Sequence, residues 1–536
     1  MSKIYNQFND IKIIGGGSAG WMTATTLIKQ WPNKKITLIE SPNHPTIGVG
    51  ESTINGIGLW LESVGLNKNL PFLKDSDGTI KLSIRFEDFY RKGDGGFHYP
   101  FGQLQVGGLP NFTHDWHIKK ALYPDTPITD FANTYYSQMA LVNENVLTKD
   151  FPGFNYNRDK AVHFDAIKFG QYLKDKVCIP NGVEYILKEV KDVNLDDEGN
   201  VDNLILDDGE KITADLWIDC TGFKSLLLDK TLKEPFIDMS SLLPNNSAWA
   251  TKVPYKDKKK EICNYTNCTA LNNGWVWQIP LWSRWGTGYV YSDKYVSDEN
   301  ALQEFKNFIK SKDDDLEFKK IRMRVGRHKR IWVKNVIAIG LSAGFVEPLE
   351  SNGLYSVHEF LKNLVCCLES RNPYYNNIDR SNFNFQCGKL FDNFARFVTL
   401  HYALSARDDT EYWKDVQRRN WEEIDPYPDG SDVHFWKYKW RQYWNDNKWY
   451  LNEGLNCIGV GFHWHIWGWN KQKTALNNQG FFFDENIIDS YKPELQNIIR
   501  QTDMRRMEWN VQAEKCENTY EFLRKNFYND EYSKIK

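Results

Sequence analysis

The chain has no apolar run of about 18 residues, so no helical membrane span is predicted. It has no excess of either charge: 67 Lys and Arg stand against 70 Asp and Glu, a formal charge of −3. That balance argues against a protein that holds nucleic acid by a basic face. The nine cysteines include no C-x-x-C pair. Cys263 and Cys268, the closest separated two, have no second pair or histidine cluster nearby, so no metal site is predicted. Free thiols in a reducing compartment, hence a cytoplasmic protein, are the plain expectation. The first residues enter a strand almost at once and leave no room for a signal peptide. Internal repeats and low-complexity tracts are also missing.

Aromatic residues, by contrast, are abundant. They make up 15% of the chain, with 21 tryptophans, nine of them between Trp413 and Trp469. Such rings bury large areas and often line pockets for flat ligands. For any single ring, ordinary core packing is the competing explanation.

DIKIIGGGSAGWMTATTLIKQWP reads as strand, tight turn and helix, with Trp31 before Pro32 as the stop. KKITLIES is a second strand ending in Glu40. GTIKLSIRFEDFY alternates, with Lys81, Ser83 and Arg85 on one face and Leu82, Ile84 and Phe86 on the other, and predicts one strand. Lys92 to Pro124 is rich in Gly, Pro and His and predicts a loop. HFDAIKFGQYLKDKV predicts a helix. The stretch from Val183 to Gly222 predicts strands with turns at DDEGN and DDGE. VIAIG predicts a buried strand, a helix follows Gly353, and beyond about residue 370 the chain reads as mostly helical. MRRMEWNVQAEKCENTYEFLRKNF predicts a surface helix.

Gly15, Gly17 and Gly20 form G-x-G-x-x-G between strand and helix. The first permits the turn, the second lets backbone approach a pyrophosphate, and the third permits close packing. The helix N-terminus adds N–H donors and a positive dipole. Glu40, 20 residues after Gly20, stands where an acid accepts from a ribose hydroxyl. The expectation is dinucleotide binding; the alternative is a tight turn that binds nothing. ADLWIDCTG favours FAD, because Asp219, Thr221 and Gly222 resemble the late strand-end element of two-dinucleotide-binding-type flavoproteins.

The chain also carries IGVGEST at 47–53, KEPFIDMS at 233–240, GWVWQIP at 274–280, RVGRHKR at 324–330, GLSAGFVEPLESNG at 340–353 and SARDDTEYW at 405–413. Together with GGGSAGWM at 15–22, in this order, they resemble flavin-dependent halogenases of the tryptophan-halogenase type. The Lys- and Asn-rich composition resembles that of viral members. The resemblance implies an α/β fold: a two-dinucleotide-binding-type FAD module, 1–110 and 155–360, with a mostly helical, aromatic-rich substrate module, 111–154 and 361–536. It implies that reduced FAD and O2 convert halide into hypohalous acid, which reaches a lysine beside an electron-rich aromatic. No second pyridine-nucleotide fingerprint is evident, so a separate flavin reductase is the expected partner.

By resemblance, Lys81 and Glu350 are the catalytic residues. Read alone, Lys81 would be an ordinary lysine on a solvated strand face, and Glu350 a surface or helix-start acid. Whether Lys81 acts as ammonium or as a neutral amine stays open. FAD contacts implied by the resemblance are Gly15, Gly16, Gly17, Ser18, Ala19, Gly20, Glu40, Ser41, Glu51, Val190 and Leu341. Asn352 and Gly353 align with a halide-binding pair, whose backbone N–H groups suit an anion; chloride, bromide and iodide fit equally. Trp275 and Trp277, two apart and so on one strand face, would shield the flavin from substrate; plain packing is the alternative. Tyr99, Phe101, Trp449 and Tyr450 align with the substrate pocket. Tyr99 replaces the family's histidine, and Asn445 falls where a carboxylate would pair with the ammonium of free tryptophan. Another indole-like or phenol-like substrate is therefore expected. Rival readings are an aromatic hydroxylase, whose usual G-D is Gly340-Leu341 here, and a flavin-binding protein without catalysis.

Overall fold

The computed structural model describes residues 6–43, 48, 50–106, 115–116, 119–120, 122–123, 125–310, 316–424, 451–463 and 485–529. Strand β1 (Asp10–Ile14), helix α1 (Ser18–Gln30) and strand β2 (Lys35–Glu40) form the predicted βαβ opening, with β1 and β2 parallel. Gly15 turns the chain at φ +112°, a region that favours glycine. A Cβ on Gly20 would lie 1.9 Å from the Gly15 carbonyl oxygen. The third glycine therefore serves the contact of helix with turn.

Next come β3 (Glu51–Ser52), β4 (Thr79–Lys81), β5 (Ser83–Glu87), β6 (Gly96–Pro100) and β7 (Ala161–Phe164). The single alternating strand predicted around Lys81 is two strands here. Lys81 pairs with Ala161 in a small antiparallel sheet ordered β3-β7-β4. Ser83 pairs with Tyr265 and Pro100 in another sheet. Leu82 is the pivot, its N–H donating to the Asn264 carbonyl at 2.7 Å. With sheets covering both sides, Lys81, Leu82, Ser83 and Ile84 are all buried, and the predicted polar face disappears. β6 lies inside the stretch predicted as loop. It pairs with β5, and the turn-rich sequence around it hid its alternation.

β8 (Glu184–Leu187), β9 (Leu216–Asp219), β10 (Ser247–Pro254), β11 (Tyr265–Ala270), β12 (Gly274–Pro280), β13 (Arg284–Tyr291), β14 (Lys319–Arg322), β15 (Trp332–Val333) and β16 (Val336–Ala338) complete the two main sheets. The first, ordered β8-β2-β1-β9-β16-β15, is parallel except for its last pair. The second, ordered β14-β10-β13-β12-β11-β5-β6, is antiparallel except between β11 and β5. The turns predicted at DDEGN and DDGE join a meander of Val190–Leu195, Val201–Leu206 and Lys211–Thr213.

α2 (Gly353–Glu369), α3 (Asn377–Ala403), α4 (Glu411–Ile424), α5 (Leu451–Gly461), α6 (Glu485–Ala513) and α7 (Thr519–Phe527) supply most of the later chain. A capping box of Asn376 and Asp379 starts α3. The predicted single C-terminal surface helix is the end of α6 and a separate α7, which Asn518 caps. α7 is not a surface helix: Tyr520, Phe522 and Leu523 are buried, and Trp282 stacks on Tyr520 and Tyr528. Among the described residues, no helix is long and apolar enough to cross a membrane.

Gly20→Ala should lower stability by about 2 kcal/mol, because rigid backbone opposes the added methyl. Thermal melting checks this; an unchanged midpoint would show that helix and turn separate easily.

Candidate active site

At the carboxyl end of β1 a cavity of about 490 Å³ opens over the glycine turn. Gly15, Gly16, Gly17, Ser18 and Ala19 form its floor, with Glu40, Ser41, Glu51, Val190 and Leu341 also lining it. Gly20 lies outside the lining, packed under Gly15. A Cβ on Gly16 would sit 2.1 Å from the Glu40 carboxyl carbon, so only glycine lets that carboxylate lie against the turn. Tyr185 Oη donates to Glu40 Oε2 at 2.9 Å and holds it there. Asp219, fully buried at the end of β9, accepts from the N–H and Oγ1 of Thr221 and from the N–H groups of Leu227 and Leu228. It thereby sets the Thr221-Gly222 bend into the cavity wall. A glycine-floored turn, an acid beside it and a long apolar chamber suit a dinucleotide with a flat ring system. Glu51 is pushed up to about 7 by burial and by the nearby Asp165.

Trp275 and Trp277 both line the far part of this cavity, side by side on β12 with ring centroids 6.2 Å apart. Trp277 lies over Gly288, its partner across the β12–β13 ladder, where a Cβ would come within 2.2 Å of the indole. Trp275 is tied by its Nε1–H to Glu347 Oε2 at 2.6 Å. The same oxygen accepts from Asn245 Nδ2 and Tyr402 Oη, and Tyr412 Oη donates to Asn245 Oδ1. Burial raises the Glu347 carboxyl, and these donors oppose the rise.

Lys81 is 0% exposed. Its Nζ donates to Ser52 Oγ at 2.8 Å, the Thr53 carbonyl at 2.9 Å and Ser351 Oγ at 2.8 Å. Ser52 and Ser351 also line the cavity, as do Asn352 and Gly353 at the start of α2. The amine thus sits one hydroxyl behind the cavity wall. Burial pulls it down to about 7, against the attraction of Cys268 and Glu350. The Phe101 ring lies 5.0 Å from Nζ, and Tyr99 packs edge-on to Phe101 at 6.0 Å.

Glu350 is buried and its carboxyl is raised, chiefly by desolvation, with His401 and Lys81 opposing. His401 Nε2 lies 2.7 Å from Glu350 Oε1. That contact is close but poorly directed, for neither atom completes a hydrogen bond. Glu350 Oε2 is likewise unsatisfied among the described residues.

Every sequence-predicted site residue that is described therefore falls on the cavity, on the glycine turn beneath it, or around Lys81. Trp449 and Tyr450, with Asn445, lie outside the described residues. Sequence reasoning missed Ser52, Ser351, His163 and His401. They come from β3, the turn before α2, β7 and α3, and no local spacing links them. Asn245, Tyr402 and Tyr412, which hold the Glu347 oxygen beside Trp275, were missed for the same reason.

Comparison with known proteins agrees. The tryptophan halogenase family model matches residues 10–451. Tryptophan 6-halogenase SttH of Streptomyces toxytricini is 35% identical over 438 residues, 76% of this chain and 81% of its own. Tryptophan 7-halogenase RebH of Lentzea aerocolonigenes is 31% identical over 484 residues, 84% and 90% respectively. The solved apo structure of VirX1 matches with a TM-score of 0.86 at 36% identity, covering 97% of this chain and 100% of that one. The crystal structure of SttH matches at 0.79 and 31%, over 96% and 99%. With the glycine turn, the α/β Rossmann-type architecture and these matches together, the chain belongs to the tryptophan halogenase family of flavin-dependent enzymes.

Proposed function

We propose that the protein uses reduced FAD, O2 and halide to halogenate an electron-rich aromatic, indole-like or phenol-like, beside Lys81 and Glu350. The observation that carries this reading is the position of Lys81: fully buried, and one hydroxyl from a cavity whose other end is the glycine turn. A separate reductase is the proposed source of reduced flavin. The FAD module is taken as 1–110 with 155–360, and the substrate module as 111–154 with 361–536.

Bound reduced FAD supplies, with oxygen, the oxidation of halide to hypohalous acid. The protein's part is separation and positioning. The glycine turn with Glu40, Ser41, Glu51, Val190 and Leu341 holds the cofactor, and the N–H groups of Asn352 and Gly353 hold halide. Trp275 and Trp277 wall the cavity and keep a bulky aromatic from the flavin end. Lys81 Nζ holds hypohalous acid by a hydrogen bond against the substrate ring, which Phe101 and Tyr99 flank. Trp449 and Tyr450 are proposed for the rest of that pocket.

Electrophilic substitution leaves a cationic ring that must lose a proton. Glu350 Oε2, basic through burial and without a partner among the described residues, is the acceptor. His401 Nδ1 lies 3.1 Å from the Phe397 carbonyl, which only accepts, so Nδ1 carries a proton. Nε2 then faces Glu350 Oε1 at 2.7 Å, close enough to fix where the carboxyl group sits. His401 thus keeps Glu350 in place.

Two tests follow. The purified protein, supplied with reduced FAD, O2 and each halide in turn, should yield halide-dependent mass increases across indoles and phenols; hydroxylated products, or none, would overturn the reading. Pure protein should not oxidise NADH unaided. Lys81→Met and Glu350→Gln should each lower product formation by about 10²-fold or more with FAD affinity unchanged. Near-normal turnover in either would remove that residue's role.

A further inference from the structure

We propose that His163 is a positioning residue that sets the direction of a hydroxyl chain ending on Lys81, so that Ser52 offers the amine a lone pair and not a proton. This deepens the proposed function and rests on Lys81 being its working amine.

The direction follows from counting protons. Thr79 Oγ1 lies 2.6 Å from the Pro280 carbonyl oxygen, which can only accept, so the one hydroxyl proton of Thr79 goes there. His163 Nδ1, 2.9 Å from Thr79 Oγ1, must then be the donor of that pair. His163 is fully buried and held well below its ordinary value by burial and by Lys81, so the ring is neutral and Nε2 has no proton. Thr266 Oγ1, 2.8 Å from Nε2, donates to it. With its proton spent, Thr266 accepts from Ser52 Oγ at 2.7 Å. Ser52 is left with lone pairs only, and these receive Lys81 Nζ at 2.8 Å and the Ser351 hydroxyl at 3.1 Å. Ser351, its proton given to Ser52, also accepts from Lys81, and the Thr53 carbonyl can do nothing else.

All three neighbours of Nζ are therefore acceptors. An ammonium fills them; a neutral amine leaves one empty and points its own lone pair at no donor. The chain holds Lys81 as a donor with its three protons engaged, which opposes nucleophilic attack by nitrogen; an oxidant receives a hydrogen bond from Nζ only by displacing one of the two cavity-lining hydroxyls, Ser52 or Ser351. The titratable groups facing Lys81 are Glu350, Cys268 and His163, with His401 behind Glu350. Glu350 acts in the same sense as the chain, while the neutral His163 ring brings no charge and the Cys268 thiol, pushed up by burial, stays protonated.

Thr266→Val keeps the shape and cuts the chain. Ser52, its proton no longer committed to Thr266, can then donate to the lone pair of a neutral Nζ, so the neutral amine gains a partner and the folded-state value of Lys81 falls further below its unfolded one. The sign is as follows. Lys81 is already lowered on folding, so its proton costs stability as pH falls below the unfolded value, and the cost is complete below the folded value. Lowering the folded value adds to that cost only at pH near and below about 7. The melting-temperature gap between parent and Thr266→Val should therefore widen as pH is lowered from 8 to about 5.5, and should stop widening in a Lys81→Met background. The alkaline limb of halide-dependent product formation should move down by about one pH unit. A gap that is flat with pH, or that widens equally without Lys81, overturns the proposal. If the melting result holds but no variant or parent halogenates, the proposed function fails and the hydroxyl chain stands. Should Thr266→Val not fold, Thr79→Val releases the same imidazole from the other side and is read the same way.

Discussion

A lysine amine with no access to water is the constraint around which this site is built. Burying an isolated ammonium is costly, and proteins avoid it by pairing the group or neutralising it. Here the offset comes mainly from three oxygen acceptors and the Glu350 carboxylate nearby. A hydrogen bond to a charged group contributes about 1.5–3 kcal/mol, so all three acceptors matter. They come from β3, from the residue after it and from the turn before α2. The position of Lys81 thus depends on parts of the chain nearly 300 residues apart being correctly packed.

The backbone makes this arrangement possible by changing sheets at Leu82. Had β4 and β5 been one strand, Lys81 and Ser83 would share a face and one sheet would cover them. The break lets Lys81 belong to the β3-β7-β4 sheet, next to Ser52, while Ser83 anchors the larger sheet that carries Trp275 and Trp277. The lysine and the indoles are thereby set on different sheets facing one chamber. A continuous strand could not have placed both.

This break also marks where sequence reasoning stopped being sufficient. The opening βαβ unit, the Asp219 strand end and α2 were legible because each is local: a hydrophobic run, a glycine turn and a helix start lie within a few residues. The glycine-floored end of the cavity was legible for the same reason. The pivot at Leu82 was not, since alternation continues through it and only the sheet partners reveal the change. β6 was hidden by the glycines, prolines and histidine around it. The division between α6 and α7 was obscured because Glu514 to Cys516 suit a helix as well as a turn. His163 and His401 gave no signal at all, for a histidine's role is set by what packs against it. Lys81 and Glu350 were recognisable only through resemblance, because a lone lysine in a strand and a glutamate before a helix are ordinary residues.

The indole wall shows how long-range packing sets orientations that the motif alone does not explain. Trp275 and Trp277 share a strand face, which the spacing predicts, but their orientations are imposed by different neighbours. Trp277 is aligned by the space Gly288 leaves, and Trp275 by the Glu347 oxygen that Asn245 and Tyr402 also hold. Tyr402 adjoins His401 on α3, so one helical turn supplies both the partner of Glu347 and the partner of Glu350. The wall beside the cofactor cavity and the acid beside Lys81 are consequently braced by the same helix. A displacement of α3 would disturb both together, so Trp275 and the acid beside Lys81 keep or lose their places as one unit.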